Sequence, residues 1–193
     1  MKTYSRLTFA LLLLTLIGCG KDVTTYHPNG QKESEGNLKD NKKHGAWIEW
    51  YENGAKKSET YYQNGKEDGP LTLWYENGQK EYEGQSKNGK LDVLETRWHE
   101  NGQKWYEGYY KNGKEDGLHT SWYKNGQRNM ETFYKDGKRD GPWTAWHKNG
   151  QKEYEGQSKN GKLDGLRTEW QENGQKKSEV QYKDGKEVSS KEF

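Results

Sequence analysis

Residues 101–126 read NGQKWYEGYYKNGKEDGLHTSWYKNG. Asn101-Gly102, Asn112-Gly113, Asp116-Gly117 and Asn125-Gly126 punctuate two runs, Lys104 to Tyr110 and Leu118 to Tyr123, that are rich in Trp, Tyr and Thr. Asn-Gly beside such runs is the strongest short-range signal for a β-hairpin, because both residues tolerate the positive φ of a tight turn. The same residues exclude helices. Beyond residue 30 a Gly occurs at least every 13 residues, and each costs about 1 kcal/mol in a helix interior. Leu, Ile, Val and Phe number only 23 of 193 residues, too few for a conventional two-layer core. Disorder is excluded from the other side: 9 Trp and 14 Tyr are too many for a linker, and 32 Lys+Arg nearly cancel 30 Asp+Glu, so net charge does not hold the chain open.

The pattern repeats along the chain. Asn-Gly pairs end at Gly30, Gly54, Gly78, Gly102, Gly126, Gly150 and Gly174, and a second series ends at Gly65, Gly89, Gly113, Gly137, Gly161 and Gly185, both at intervals of 24. Asn77 to Asp92 and Asn149 to Asp164 are identical, the mark of duplication of a three-repeat block. Strict spacing predicts stacked units that contact chiefly their neighbours. The fold expected is all-β: an elongated, open, single-layer antiparallel β-meander of about seven 24-residue hairpin repeats, roughly 65 Å long at ~4.8 Å per strand.

Turn length decides which face packs. Two-residue turns place Trp50 on the face of Lys57 and Glu59; three-residue loops with a left-handed Gly place it with Ser58 and Thr60. The second arrangement buries more apolar atoms, so even positions are expected to pack throughout. They carry a structural aromatic row of Trp50, Trp74, Trp98, Trp122, Trp146 and Trp170. Odd positions are then exposed, and Trp47, Tyr61, Trp105, Tyr109, Phe133 and Trp143 become the candidate partner contacts, because they vary between repeats.

The first nineteen residues differ from the rest. A basic start at Lys2 and Arg6 precedes an apolar run from Leu7 to Ile17, too short to span a membrane at roughly 20 residues and suited to a secretory signal. Leu16-Ile17-Gly18-Cys19 resembles the lipobox of bacterial lipoproteins, which implies cleavage before Cys19 and lipid attachment to its thiol. Two or three acyl chains hold a protein on a bilayer. The expected organisation is a signal peptide over 1–18, a lipid-anchored linker over 19–23, a repeat array over 24–188, and a tail or capping strand over 189–193. Without residues 1–18, acidic and basic side chains balance, and their interspersion argues against nucleic acid.

Tyr82 to Asp92, its copy from Tyr154, and Tyr106 to Gly117 (YEGYYKNGKEDG) resemble the MORN repeat, and the added Trp-Tyr-x-Asn-Gly-Gln-Lys leg (Trp74 to Lys80) is similar to the MORN-repeat variant of bacteria. Many such proteins are labelled YwqK-type antitoxins of toxin–antitoxin systems. The resemblance covers about residues 24–188. It implies a single-layer meander with a binding or scaffolding role and no enzyme activity. Val93, His44, Asn41, Ser58, Met130 and Ser178 depart from the pattern.

No catalytic or metal centre emerges from the residues, and no cofactor is expected. His27, His99 and His147 share one repeat position with Tyr51, Tyr75 and Tyr123, read as a solvated place for any flat polar ring. Asp68, Asp92, Asp116, Asp140 and Asp164 each offer one turn carboxylate, where calcium needs several oxygens per ion. The Glu row from Glu35 to Glu179 recurs in every repeat, unlike a catalytic pair. The expectation is a protein lipid-anchored in the bacterial envelope that binds another protein, in an antitoxin- or immunity-like role. The alternative is a cell-wall glycan- or choline-binding array that uses its aromatic rings.

Overall fold

The computed structural model describes residues 20–193, so the signal segment and Cys19 lie outside the described residues. All seventeen strands lie in one open antiparallel sheet, and among the described residues there is no helix. They are β1 (Lys21–Tyr26), β2 (Lys32–Lys39), β3 (Lys42–Trp50), β4 (Lys56–Gln63), β5 (Lys66–Trp74), β6 (Lys80–Lys87), β7 (Lys90–Leu91), β8 (Leu94–Trp98) and β9 (Lys104–Lys111). The series continues with β10 (Lys114–Trp122), β11 (Arg128–Lys135), β12 (Lys138–Trp146), β13 (Lys152–Lys159), β14 (Lys162–Leu163), β15 (Gly165–Trp170), β16 (Lys176–Lys183) and β17 (Lys186–Glu192). Each pairs with its sequence neighbour, except that β7 with β8, and β14 with β15, are halves of one broken strand. Both breaks follow the Leu of Leu-Asp at the end of the duplicated block, at Asp92-Val93 and at Asp164. β1 begins inside the linker expected over 19–23, with Lys21 to Val23 already paired to Leu38 to Gly36. β17 pairs along β16 and covers residues 189–192.

The two ends of each hairpin use different turns. Asn64 and Gly65 both have positive φ, 51° and 80°, between the paired Gln63 and Lys66: a two-residue type I′ turn, whose twist matches that of the strands. At the other end Tyr51 and Ala55 close a three-residue loop. Tyr51 N–H bonds to the Ala55 carbonyl and Gly54 N–H to the Tyr51 carbonyl, both at 2.9 Å, with Gly54 left-handed at φ 82°. The register then slips by one residue, because Trp50 pairs with Lys56 but Glu49 with Ser58. Lys57 is the extra residue of a β-bulge.

These turns overturn the expected packing. The bulge cancels the parity that the three-residue loop preserves, and the two-residue turn reverses parity outright. Trp47 therefore stands opposite Thr60, whereas Ile48 stands opposite Glu59, and a shared cross-strand pair means a shared face. Trp50, Trp74, Trp98, Trp122, Trp146 and Trp170 are only half-buried and share their face with the Glu row. Trp47 and Trp143, expected to be exposed, are packed at 8% and 9% accessibility.

The packed face has odd positions from outgoing strands and even positions from returning ones. Large rings there lie across glycines of the neighbouring strand. A Cβ on Gly36 would stand 2.0 Å from Trp47 Cε3, and one on Gly156 would stand 2.8 Å from Trp143 Cζ2. Buried Ser and Thr at Ser58, Thr60, Thr132, Ser158 and Ser178 fill the remainder. Small residues beside rings give this single layer close packing without a second one.

Candidate interaction surfaces

One face, the tryptophan face, repeats the same chemistry in almost every unit. A Lys or Arg pairs with the Glu three residues on, from Lys32–Glu35 at 2.5 Å to Arg128–Glu131 at 3.1 Å. The same cation lies over a tryptophan of the adjacent strand, as Lys56 over Trp74 at 5.1 Å and Lys152 over Trp170 at 5.5 Å. Exposed pairs of this kind contribute about 0.2–1 kcal/mol each. Above this row, toward the type I′ turns, Tyr61, Tyr109 and Phe133 are 47%, 51% and 41% exposed. Leu94 pairs with Tyr109, and Leu118 with Phe133, so an apolar strip crosses the middle of the array.

The opposite, variable face changes at each step. Its central outgoing row reads Trp47, Leu71, Glu95, His119, Trp143 and Arg167. Glu95 is 2% exposed and is held by Arg97, whose guanidinium also lies 5.6 Å from the rings of Tyr82 and Trp105. One hydrogen-bonded chain links β9 and β10 here. His119 Nε2 is 2.8 Å from the Tyr109 carbonyl, which can only accept, so Nε2 carries a proton. In the neutral ring Nδ1 then accepts from the Tyr106 hydroxyl at 2.7 Å, and Tyr106 accepts from Tyr110 at 2.8 Å. Burial, with Glu95 nearby, pushes the Tyr82 phenol up to about 12. Burial pushes Tyr106 up as well. At the far end, a hydrogen bond from Lys177 holds the Glu169 carboxyl below its ordinary range.

Between repeats, polar side chains act as staples. Tyr51, Tyr75 and Tyr123 donate to the carbonyls of Trp74, Trp98 and Trp146 at 2.7–2.8 Å. His27 and His147 do the same to Trp50 and Trp170. The position is thus a part-buried donor, not a solvated ring, and His99 Nε2 is buried there without a partner. Asp68 and Asp92 also reach outward. They accept from the turn N–H groups of Asn88 and Asn112, one repeat on, at 3.2 and 2.8 Å, rather than from their own turns.

The family is decided by the repeat itself. The MORN repeat variant matches seven times, at residues 21–40, 43–66, 67–88, 91–112, 115–136, 139–160 and 163–184. The chain belongs to the MORN repeat variant family. No curated protein matches the sequence.

The MORN array splits the six aromatic residues singled out from the sequence. Tyr61, Tyr109 and Phe133 lie on the tryptophan face, exposed. Trp47 and Trp143 lie on the other face, packed. Trp105 is the extra residue of a bulge, half-buried beside Arg97. Sequence reasoning missed the Tyr110–Tyr106–His119 chain, giving His119 no role. Among the described residues no group of three or more His, Cys, Asp or Glu is placed to hold a metal ion, and no helix is long and apolar enough to cross a membrane.

Proposed function

We propose that this MORN array is a non-catalytic protein-binding module, held at the bacterial envelope by lipid on Cys19, that captures another protein in an immunity- or antitoxin-like role. The observation that carries the reading is the exposed row Tyr61, Tyr109 and Phe133 on a regular scaffold. The frame is constant while the displayed residue changes, with Gln85 and Gln157 at the same place in other repeats. Large exposed rings beside Leu94 and Leu118 suit a protein partner, since aromatic anchors dominate such interfaces. The glycan or choline alternative has less support, because the Trp rings it would use are half-buried with cations over them. Photo-cross-linkers placed at Tyr109 and at Phe133, in protein expressed in its own envelope, are expected to yield the same protein adduct. Adducts to wall polymer, or unrelated adducts from the two sites, would contradict the reading. Labelling with radioactive palmitate is expected in the wild type and lost in Cys19→Ala.

A further inference from the structure

Two places on the variable face, 72 residues apart, follow one plan with opposite charge. At the first, Lys43 Nζ lies 4.3 Å from the centre of the Trp47 ring and 5.0 Å from that of Tyr62. The Glu49 carboxylate is 4.0 Å away. The cation completes an enclosure of two π faces and an acid, the surroundings an ammonium group favours.

The equivalent residues further along are Glu115, His119 and Tyr134. Here the two rings are in contact, with centroids 4.7 Å apart, and a carboxylate replaces the ammonium. Glu115 Oε1 lies 3.8 Å from His119 Nδ1. A cavity of about 100 Å³ opens beside it, with Tyr106, Glu115, His119, Ser121, Thr132 and Tyr134 in its wall and no lysine or arginine among its lining residues. Elsewhere on this face the ring clusters have cations of their own, such as Arg167 4.5 Å from Tyr154. Arg139, outside the cavity, meets Tyr134 at its hydroxyl and not at its face.

We propose that this cavity receives the primary ammonium group of a lysine side chain from another polypeptide, in the place that Lys43 fills from within the chain. Glu115 supplies the charge, the rings supply their faces, and the Ser121 and Thr132 hydroxyls can accept the remaining N–H bonds. A quaternary ammonium has no proton to give these acceptors, and a neutral chain leaves Glu115 uncompensated. The site lies on the face opposite Tyr109 and Phe133, so it stands or falls independently of the docking proposed there.

Titration of the intact folded chain with Nα-acetyl-lysine methylamide, followed by NMR, tests this directly. Saturable shifts at His119 and Tyr134 are expected, with the norleucine analogue inert and the trimethyl-lysine analogue weaker. Glu115→Gln weakens binding about tenfold, the scale of a charge-assisted bond. Glu115→Lys abolishes it by filling the cavity from within, and Arg139→Gln strengthens it by removing a nearby like charge. Lys43→Glu opens a second site between Trp47 and Tyr62, doubling the stoichiometry. Equal response to the norleucine analogue, tighter binding of the trimethyl form, or an unchanged stoichiometry in folded Lys43→Glu would overturn the proposal.

Discussion

The tryptophan face and the variable face are built by the same strands and differ in what recurs on them. On the first, Lys, Glu and Trp return at each period, half-exposed, and each contact is weak. On the second, Trp47, Leu71, Glu95, His119, Trp143 and Arg167 succeed one another, and most of the buried side chains lie there, Glu95, Thr132 and His119 among them, against Thr96, Thr120 and Thr168 on the first. Repetition therefore sets the spacing, while the irregular face does most of the packing. A conspicuous periodic residue is not thereby the core residue.

Substitution separates the two faces most sharply. Trp143→Ala is expected to cost about 3–5 kcal/mol in urea unfolding, as for a large buried side chain. Trp146→Ala, three residues on but half-exposed with Arg128 over its ring, is expected to cost about 1–2 kcal/mol by its smaller buried area. Equal costs would dissolve the distinction. Next in size is the buried ion pair. Arg97→Leu alone strands the Glu95 carboxylate and is expected to cost about 3 kcal/mol, whereas Glu95→Leu with Arg97→Leu should recover the loss in full. The double variant recreates Leu71 and Leu73 one repeat earlier, so it fits the fold already.

Alkaline pH offers a further test. The folded value of Tyr82, about 12, lies above the ordinary 10.0, and Tyr106 is displaced the same way. The fold favours the neutral phenols, so their contribution is complete below about pH 10 and is lost as pH rises through the folded values. The urea midpoint should fall as pH rises from about 10 toward about 12, and less steeply in Tyr82→Phe and Tyr106→Phe than in the wild type. The smallest effect concerns the staples: His99→Tyr is expected to stabilise by about 1 kcal/mol by providing the donor that Tyr75 and Tyr123 provide in their own repeats. A loss of thermal stability in that variant would show that the place is not equivalent.

The strands, the turns and the 24-residue period were legible because Asn-Gly and aromatic runs act locally. Face assignment was not, although the three-residue loop ending at Gly54 was anticipated. One unpaired residue, Lys57 and its equivalents, reverses the parity, and an even period looks the same either way. Trp47 and Trp143 were misplaced by that single residue. The chain from Tyr110 to His119 was hidden by the same error, since Tyr106 and His119 differ in parity yet share a face. The Tyr and His staples were visible as a recurring position, but a bond to a carbonyl 23 residues away depends on how hairpins stack.

Hydroxyl-radical footprinting of the native chain, read residue by residue with mass spectrometry, tests the packed-face assignment most directly. Tyr61, Tyr109 and Phe133 should be oxidised rapidly, and Trp47 and Trp143 slowly despite the greater intrinsic reactivity of indole. Oxidation of Trp47 and Trp143 as fast as that of Tyr109 would contradict the account.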